Sequence, residues 1–316
     1  LSLFCSIASV TLASLFIFQR IGFLPAVLAL SLIAWNMVDI CTSRRAWGDS
    51  IFGLFSTIAF LGTVKFGLKE RISLLPLLLF AVVAGFLVWI KEAGLPWVLF
   101  TFSLIVLIRS VFLRDKAGAI TVGIFGSISL LAHYSILVGA VGGLPIFFKI
   151  YSALKHAHLT NQYLLDFQTG TSYSIVQMLF IATPVTAFGL LAGIMFFGRE
   201  LIHEPALLRK ESTVQIFAIA LIFILFQFLL MWLSPGMMNM RYFTAILTPL
   251  FIVASYPALI FEKYCSRLHK VERIYFLTFA ALLLAIAIRL EKDRTDNILL
   301  KFGVPDPSLG YILRGF

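Results

Sequence analysis

The stretch ISLLPLLLFAVVAGFLVWIKEAGLPWVLFTFSLIVLIRSVFL, residues 72–113, decides the fold class. It holds two apolar runs, 72–90 and 93–113, separated by Lys91 and Glu92. As an α-helix each run would rise about 30 Å, which is enough to cross the hydrocarbon core of a bilayer. Neither run shows the sustained alternation of an outer-membrane β-strand. The segment therefore predicts two membrane-spanning helices joined by a short polar turn.

The rest of the chain repeats this pattern. Of its 316 residues, 60% are hydrophobic and 13% are charged, whereas a soluble domain carries about 25% charged residues. A soluble globule of this size cannot bury so much apolar surface, and a disordered chain would not contain it. We predict an all-α polytopic integral membrane protein with about ten transmembrane helices. The predicted spans are 1–18, 21–38, 51–68, 72–90, 93–113, 117–140, 175–198, 214–233, 242–261 and 274–289.

The distribution of lysine and arginine predicts the topology. Fourteen of these residues fall in the loops on one side and six in the loops on the other, and cytoplasmic loops carry the excess. The loops 39–50 and 140–174 are then extracytoplasmic. We expect one transmembrane domain over 1–289 and an extracytoplasmic tail over 290–316. Because the net charge of +10 comes largely from these loops, it predicts contact with anionic lipid headgroups and not with nucleic acid.

Two local patterns add detail. Phe147, Ile150, Tyr151 and Leu154 recur at helical spacing and form one apolar face. This predicts an amphipathic helix lying in the membrane interface within the loop 140–174. His133 is the one histidine deep in a predicted span, and we expect it to bond to a neighbouring helix.

Segments of the predicted outer side together resemble the GT-C superfamily of polyprenyl-phosphate-sugar-dependent glycosyltransferases. The nearest branch is that of the dolichyl-phosphate-mannose–protein mannosyltransferases and the aminoarabinose transferases. Residues 28–61 resemble the family's span that ends in a basic–x–x–x–Asp turn. Residues 88–100 are similar to its Thr-Lys-x-x-Gly turn, with Ile90 in place of the threonine. Residues 237–255 resemble its Arg-Tyr stretch with a following proline, and 163–193 its outer loop and Pro-containing helix.

The resemblance implies a GT-C-like fold and an enzymatic activity. That activity is transfer of a sugar from a polyprenyl-phosphate donor to a lipid, glycan or protein acceptor at the extracytoplasmic face. It also implies one or two helices and an acidic outer loop that precede Leu1 in the family pattern. The absence of an Asn-x-Ser/Thr site favours a bacterial inner membrane.

Such a transfer needs cations to hold the phosphate. Lys91, Arg241 and Tyr242 match the family's motifs and are predicted to bind the donor phosphate. The alternative for Arg241 and Tyr242 is an arginine that reaches the membrane surface beside a tyrosine of the interfacial aromatic belt. The alternative for Lys91 is an ion pair with Glu92, which we place with it in the same substrate-binding turn.

The transfer also needs a base, usually a carboxylate on the outer face. Asp49 is the first candidate, to act on the sugar or the acceptor or to hold a divalent cation, and Asp39 is the second. The alternative for Asp49 is an N-cap of a helix that begins at Ser50 or Ile51. Arg44 and Arg45 are expected to pair with these acids or to contact lipid headgroups.

The long outer loop supplies the remaining candidates. Asp166, Gln168 and Tyr173 are predicted to line the sugar or acceptor site, with a solvated loop as the alternative. His156 and His158 have no third ligand at suitable spacing, so no metal site is assigned. Apart from a divalent cation at the carboxylates, no cofactor is expected.

Two other classes of protein remain open. A transporter or flippase of a lipid-linked or amphipathic substrate would share a groove and a cationic clamp. A non-catalytic membrane protein is favoured if no acidic loop precedes the chain.

Overall fold

A computed structural model of the chain describes residues 1–34, 36, 39, 48–69, 71–91, 93–160, 183–233 and 240–302. These residues are almost entirely helical, and no strand occurs among them. The helices are α1 Ser2–Arg20, α2 Phe23–Ala34, α3 Gly48–Leu68, α4 Leu74–Gly85, α5 Leu87–Ile90, α6 Gly94–Leu107, α7 Lys116–Ala140, α8 Leu144–Thr160, α9 Pro184–His203, α10 Leu207–Lys210, α11 Ser212–Leu233, α12 Leu247–Ala254, α13 Tyr256–Cys265 and α14 Lys270–Phe302. A π-helix, Ile108–Phe112, continues α6, and a 3-10 helix, Met240–Ile246, precedes α12.

Eight helices in the described ranges are long and apolar enough to span a membrane. They are Ser2–Arg20, Gly48–Leu68, Gly94–Phe112, Lys116–Ala140, Pro184–His203, Ser212–Leu233, Tyr242–Cys265 and Lys270–Asp293. The predicted all-α integral membrane protein is thereby confirmed. The other two predicted spans correspond to shorter apolar helices, Phe23–Ala34 and Leu74–Ile90. At 12 residues, α2 rises about 18 Å, less than the hydrocarbon thickness.

The centre of the bundle is formed by α3 and by the segment Tyr242–Cys265, whose residues are mostly buried inside the protein. These two elements touch closely at Gly53, where an added Cβ would lie 3.1 Å from the carbonyl oxygen of Thr244. Glycine therefore lets the 3-10 helix approach the backbone of α3. At the periphery of the bundle, no residue in the most hydrophobic 18-residue stretch of α14 is buried inside the protein.

The predicted span 72–90 is broken at Phe86, between α4 and α5. The break is stabilised from α7: the Ser129 hydroxyl donates to Ala81 O at 2.5 Å, and His133 Nε2 lies 3.0 Å from Val82 O. Trp89 Nε1 donates to His133 Nδ1 at 3.0 Å. Since an indole N–H can only donate, the other imidazole nitrogen carries the proton and donates to Val82 O. The prediction that His133 bonds to a neighbouring helix is confirmed.

The structure also describes the predicted interfacial segment and the start of the predicted C-terminal tail. The predicted interfacial segment is helical, as α8, with Ile150 and Tyr151 exposed. The predicted tail boundary at residue 290 falls inside α14, which continues without interruption to Phe302.

Candidate functional site

An ion pair between Asp49 and Lys91 lies at one end of the bundle. Asp49 is in the first turn of α3, and Lys91 follows the last residue of α5. The Lys91 ammonium donates to Asp49 Oδ1, and the two side chains are 14% and 2% exposed respectively. Since α3 begins at Gly48, Asp49 lies within the helix and is not its N-cap. Its negative charge in the first turn is favourable for the helix dipole.

Two aromatic rings complete the surroundings of Lys91. Its Nζ lies 4.5 Å from the centroid of the Tyr242 ring and 5.9 Å from that of Phe52. Phe52 is one turn along α3 from Asp49, and Tyr242 belongs to the 3-10 helix. Both distances are within the range of a cation–π interaction. The ammonium is thus held between a carboxylate and two ring faces.

The turn that carries Lys91 depends on Gly94. Lys91 itself is extended, with φ −153° and ψ 158°, and its carbonyl oxygen accepts a hydrogen bond of 2.9 Å from Gly94 N. A Cβ at Gly94 would lie 1.8 Å from Leu87 O. Any other residue would therefore push α6 away from α5. Glycine at this position lets the chain reverse and aims Lys91 at α3.

A cavity of about 720 Å³ opens beside this cluster and has Lys91 in its wall. Its volume falls in the range of small-molecule sites. The walls come from the turn around Lys91, from the end of α7 and from α8. They include Trp89, Pro96, Tyr134, Phe147 and Tyr151. We call this cavity the aromatic groove.

The structure brings together three of the residues predicted from the sequence: Asp49, Lys91 and Tyr242. Arg241 precedes Tyr242 in the 3-10 helix, where only its backbone is described. The alternative ion pair of Lys91 with Glu92 cannot be compared, because Glu92 lies outside the described residues. Also outside the described residues are Arg44, Arg45, Asp166, Gln168 and Tyr173.

Asp39 lies against α1. Its Oδ2 accepts a hydrogen bond of 2.6 Å from Ser6, and its amide donates to Asn36 Oδ1 at 3.2 Å. Burial raises the pKa of the Asp39 carboxyl, and the hydrogen bond from Ser6 opposes this rise only in part. Within the described ranges, no group of three His, Cys, Asp or Glu side chains is placed to hold a metal ion.

Trp97 and Gln227, which were not predicted from the sequence, support the group formed by Asp49, Lys91 and Tyr242. Trp97 Nε1 donates to Gln227 Oε1 at 3.0 Å, and Gln227 Nε2 donates to the carbonyl oxygen of Tyr242 at 3.2 Å. A signal was present, since Gln227 is an amide inside the otherwise apolar run 216–233. Buried amides in membrane helices usually bond to another helix.

No family model, no curated protein and no solved structure matches this chain. Its function must therefore be inferred from the chemistry of the site.

Proposed function

We propose that this protein is a membrane glycosyltransferase that takes a sugar from a polyprenyl-phosphate donor, with a GT-C-like arrangement of helices. The observation that carries the proposal is Lys91, whose partly buried ammonium lies beside Asp49 and Tyr242 and which also lines the aromatic groove. Ionisable side chains that are largely removed from water are costly to place, and beside a cavity they are candidates for a functional site. A cation next to an apolar groove suits a ligand with an anionic head and a long apolar chain.

Other carboxylates in the described part of the chain differ from Asp49. Glu262 accepts a hydrogen bond from the amide of Leu24, and Glu291 accepts one from the amide of Val185, each at 3.3 Å. Each of these glutamates caps the N-terminus of a neighbouring helix, which is a structural task. Asp49 instead faces a lysine that lines a cavity. This contrast supports a chemical role for the Asp49–Lys91 pair.

The transfer assigns a role to each residue. Lys91, with Arg241 and the Tyr242 hydroxyl, would hold the donor phosphate. The acceptor hydroxyl oxygen forms a bond to the anomeric carbon, while the bond from that carbon to the phosphate oxygen breaks and its electron pair stays on the phosphate. Asp49 would take the hydroxyl proton once the phosphate draws Lys91 away from it. Charge that develops on the leaving phosphate is then stabilised by fixed cations.

The test is sugar release from a polyprenyl-phosphate-linked donor by the protein in nanodiscs. Lys91→Met and Asp49→Asn should each lower the rate by about 100-fold or more, the usual effect of removing one preorganised charge or donor. Arg241→Ala should also lower it. Lys65→Met is the matched control, because Lys65 is an exposed lysine near the opposite end of α3. Wild-type turnover by both Lys91→Met and Arg241→Ala would refute the proposed clamp.

A transporter or flippase is the second candidate, and the open side of the aromatic groove favours it, because a lipid-linked substrate could enter there. The same donor, labelled and placed in one leaflet of proteoliposomes, separates the two functions. Movement of the intact donor to the other leaflet without sugar release would identify a flippase. If the donor is neither moved nor cleaved, the protein is a non-catalytic membrane protein.

A further inference from the structure

Gln227 occupies an unusual position for an amide. It lies in α11, where it is 2% exposed, and it is surrounded by the apolar side chains of the bundle. Burying an amide in an apolar environment is costly unless each of its polar atoms is paired. Both are paired here, with Trp97 on one side and Tyr242 on the other.

The chemistry of the two partners fixes the orientation of this amide. The indole N–H of Trp97 can only donate, and the carbonyl oxygen of Tyr242 can only accept. Gln227 must therefore turn Oε1 to Trp97 and Nε2 to Tyr242, and only a side chain with both an acceptor and a donor can serve both. An apolar residue of the same length would serve neither.

The contacts of Gln227 belong to a closed ring that includes the site. The Trp97 ring packs edge-on against Phe52, with 6.1 Å between centroids. Phe52 and Tyr242 both face the Lys91 ammonium. Starting from Gln227, one path reaches Lys91 through the Tyr242 backbone, and the other reaches it through Trp97 and Phe52. Gln227 is the polar contact that joins the two paths on the far side of the ring.

We propose that Gln227 is a positioning residue, which fixes the Tyr242 and Phe52 rings against Lys91 and so sets how the ammonium is shared with Asp49. Loss of its hydrogen bonds lets the 3-10 helix move and exposes the ammonium to the aromatic groove. The importance of this arrangement for binding a lipid phosphate rests on the proposed function, whereas the exposure of the Lys91 ammonium after loss of Gln227 does not.

The experiment measures how fast a water-soluble amine reagent labels Lys91 in nanodiscs, by mass spectrometry, relative to the exposed Lys149 of the same molecule. Gln227→Met removes both hydrogen bonds at nearly constant length, and Trp97→Phe removes one of them. We expect the relative labelling rate to rise about tenfold in the first variant and about threefold in the second, the range of one to two buried hydrogen bonds.

Gln215→Met is the matched control, because Gln215 is on the same helix and donates to Leu208 O at 3.1 Å, away from the site. It should leave the labelling of Lys91 unchanged. An unchanged rate in folded Gln227→Met, or an equal rise in both glutamine variants, would overturn the proposal. If Gln227→Met does not fold, an unchanged rate in Trp97→Phe overturns it instead.

A second arm separates this inference from the proposed function. Polyprenyl phosphate added to the wild type should protect Lys91 from labelling, and protection should weaken about threefold to tenfold in Gln227→Met. If polyprenyl phosphate gives no protection in the wild type, the proposed function fails. The labelling difference between Gln227→Met and Gln215→Met still decides the role of Gln227.

Discussion

An ion pair lies at each end of helix α3, Asp49 with Lys91 at one end and Arg109 with Asp115 at the other, and the two pairs are built differently. Asp49 pairs with Lys91 at one end, and Arg109 lies against the other end, where it donates to Phe66 O at 2.7 Å and to Lys69 O at 2.8 Å. From Asp49 to Phe66 the helix rises about 26 Å, close to the thickness of the hydrocarbon core. The two pairs are therefore separated by about the thickness of the hydrocarbon core.

The partners of Arg109 explain its role. Arg109 is fully buried in the π-helix and also pairs with Asp115, which caps α7 by accepting a hydrogen bond of 2.9 Å from Gly118 N. Main-chain oxygens at a helix C-terminus need donors, and the planar guanidinium supplies several. Lys91 is held by side chains instead and borders a cavity. A cation fixed by backbone groups stabilises the fold, whereas one held by side chains next to a groove is able to exchange its partner for a ligand.

The largest effect should come from Arg109→Met. It leaves the carbonyl oxygens of Phe66 and Lys69 without this donor, at a cost of about 1–3 kcal/mol each, and it removes the counter-ion of the partly exposed Asp115. Thermal unfolding in detergent measures the loss of stability. Lys116→Met is the control, because Lys116 is an exposed cation close to Arg109 in the chain. A loss below about 1 kcal/mol would show that the two ends do not differ in the way the contacts indicate.

Lys91→Met should have a smaller effect on stability and a larger one on activity. Asp49 loses its counter-ion, at a cost of about 1–3 kcal/mol, because water from the groove replaces part of the contact. Adding Asp49→Asn should restore at least half of this loss without restoring sugar transfer. Unfolding and donor turnover are measured on the same preparations. Recovery of activity in the double variant would contradict the chemical role of the pair.

Tyr242→Leu removes one ring from the Lys91 ammonium, and Tyr242→Phe keeps the ring while it removes the hydroxyl. A cation–π contact contributes about 0.5–2 kcal/mol. Tyr242→Leu should therefore lower the free energy of unfolding by at least that amount more than Tyr242→Phe does, because Tyr242→Phe keeps the ring. Equal losses in the two variants would mean that the hydroxyl, and not the ring face, carries the contact.

The smallest effect concerns pH at the Arg109 end. The amide of Gly118 and the guanidinium of Arg109 lower the pKa of Asp115 below its usual value of 3.8. Because the pKa is lowered in the folded state, the ionised carboxylate stabilises that state at pH values above 3.8. This stabilisation is lost as the pH falls through the folded pKa. Asp115→Asn should thus be less stable than the wild type at neutral pH, by less than about 1 kcal/mol because the carboxylate is partly exposed. The unfolding temperatures of the wild type and Asp115→Asn, measured from about pH 7 downwards, should differ above pH 3.8 and converge only as the pH falls below it.

Much of the secondary structure was predictable from apolar runs. The predicted spans 117–140 and 214–233 differ from α7 and α11 by one or two residues at the start. The break at Phe86 was not predicted, because it depends on Ser129 and His133, which come from a different helix. A helix break that is stabilised by a neighbour leaves little trace in its own sequence.

The candidate site was predictable in part. Lys91, Asp49 and Tyr242 were singled out by residue type and by resemblance, but the sequence offered Lys91 only its neighbour Glu92 as a partner. The structure pairs it with Asp49, which is 42 residues away. Gln227 was missed, since an amide in an apolar run does not reveal which helix it faces.

The sequence by itself determined that the chain forms long apolar helices and where several of them begin and end. Lipid cannot satisfy backbone N–H and C=O groups, so a long apolar run must close its own hydrogen bonds as a helix. Which helices become neighbours was decided only by the tertiary structure. Lateral packing depends on close approaches, such as that of Gly53 to Thr244, and on single interhelical hydrogen bonds, such as those of Gln227. These contacts join residues far apart in the chain, and hydropathy carries no information about them.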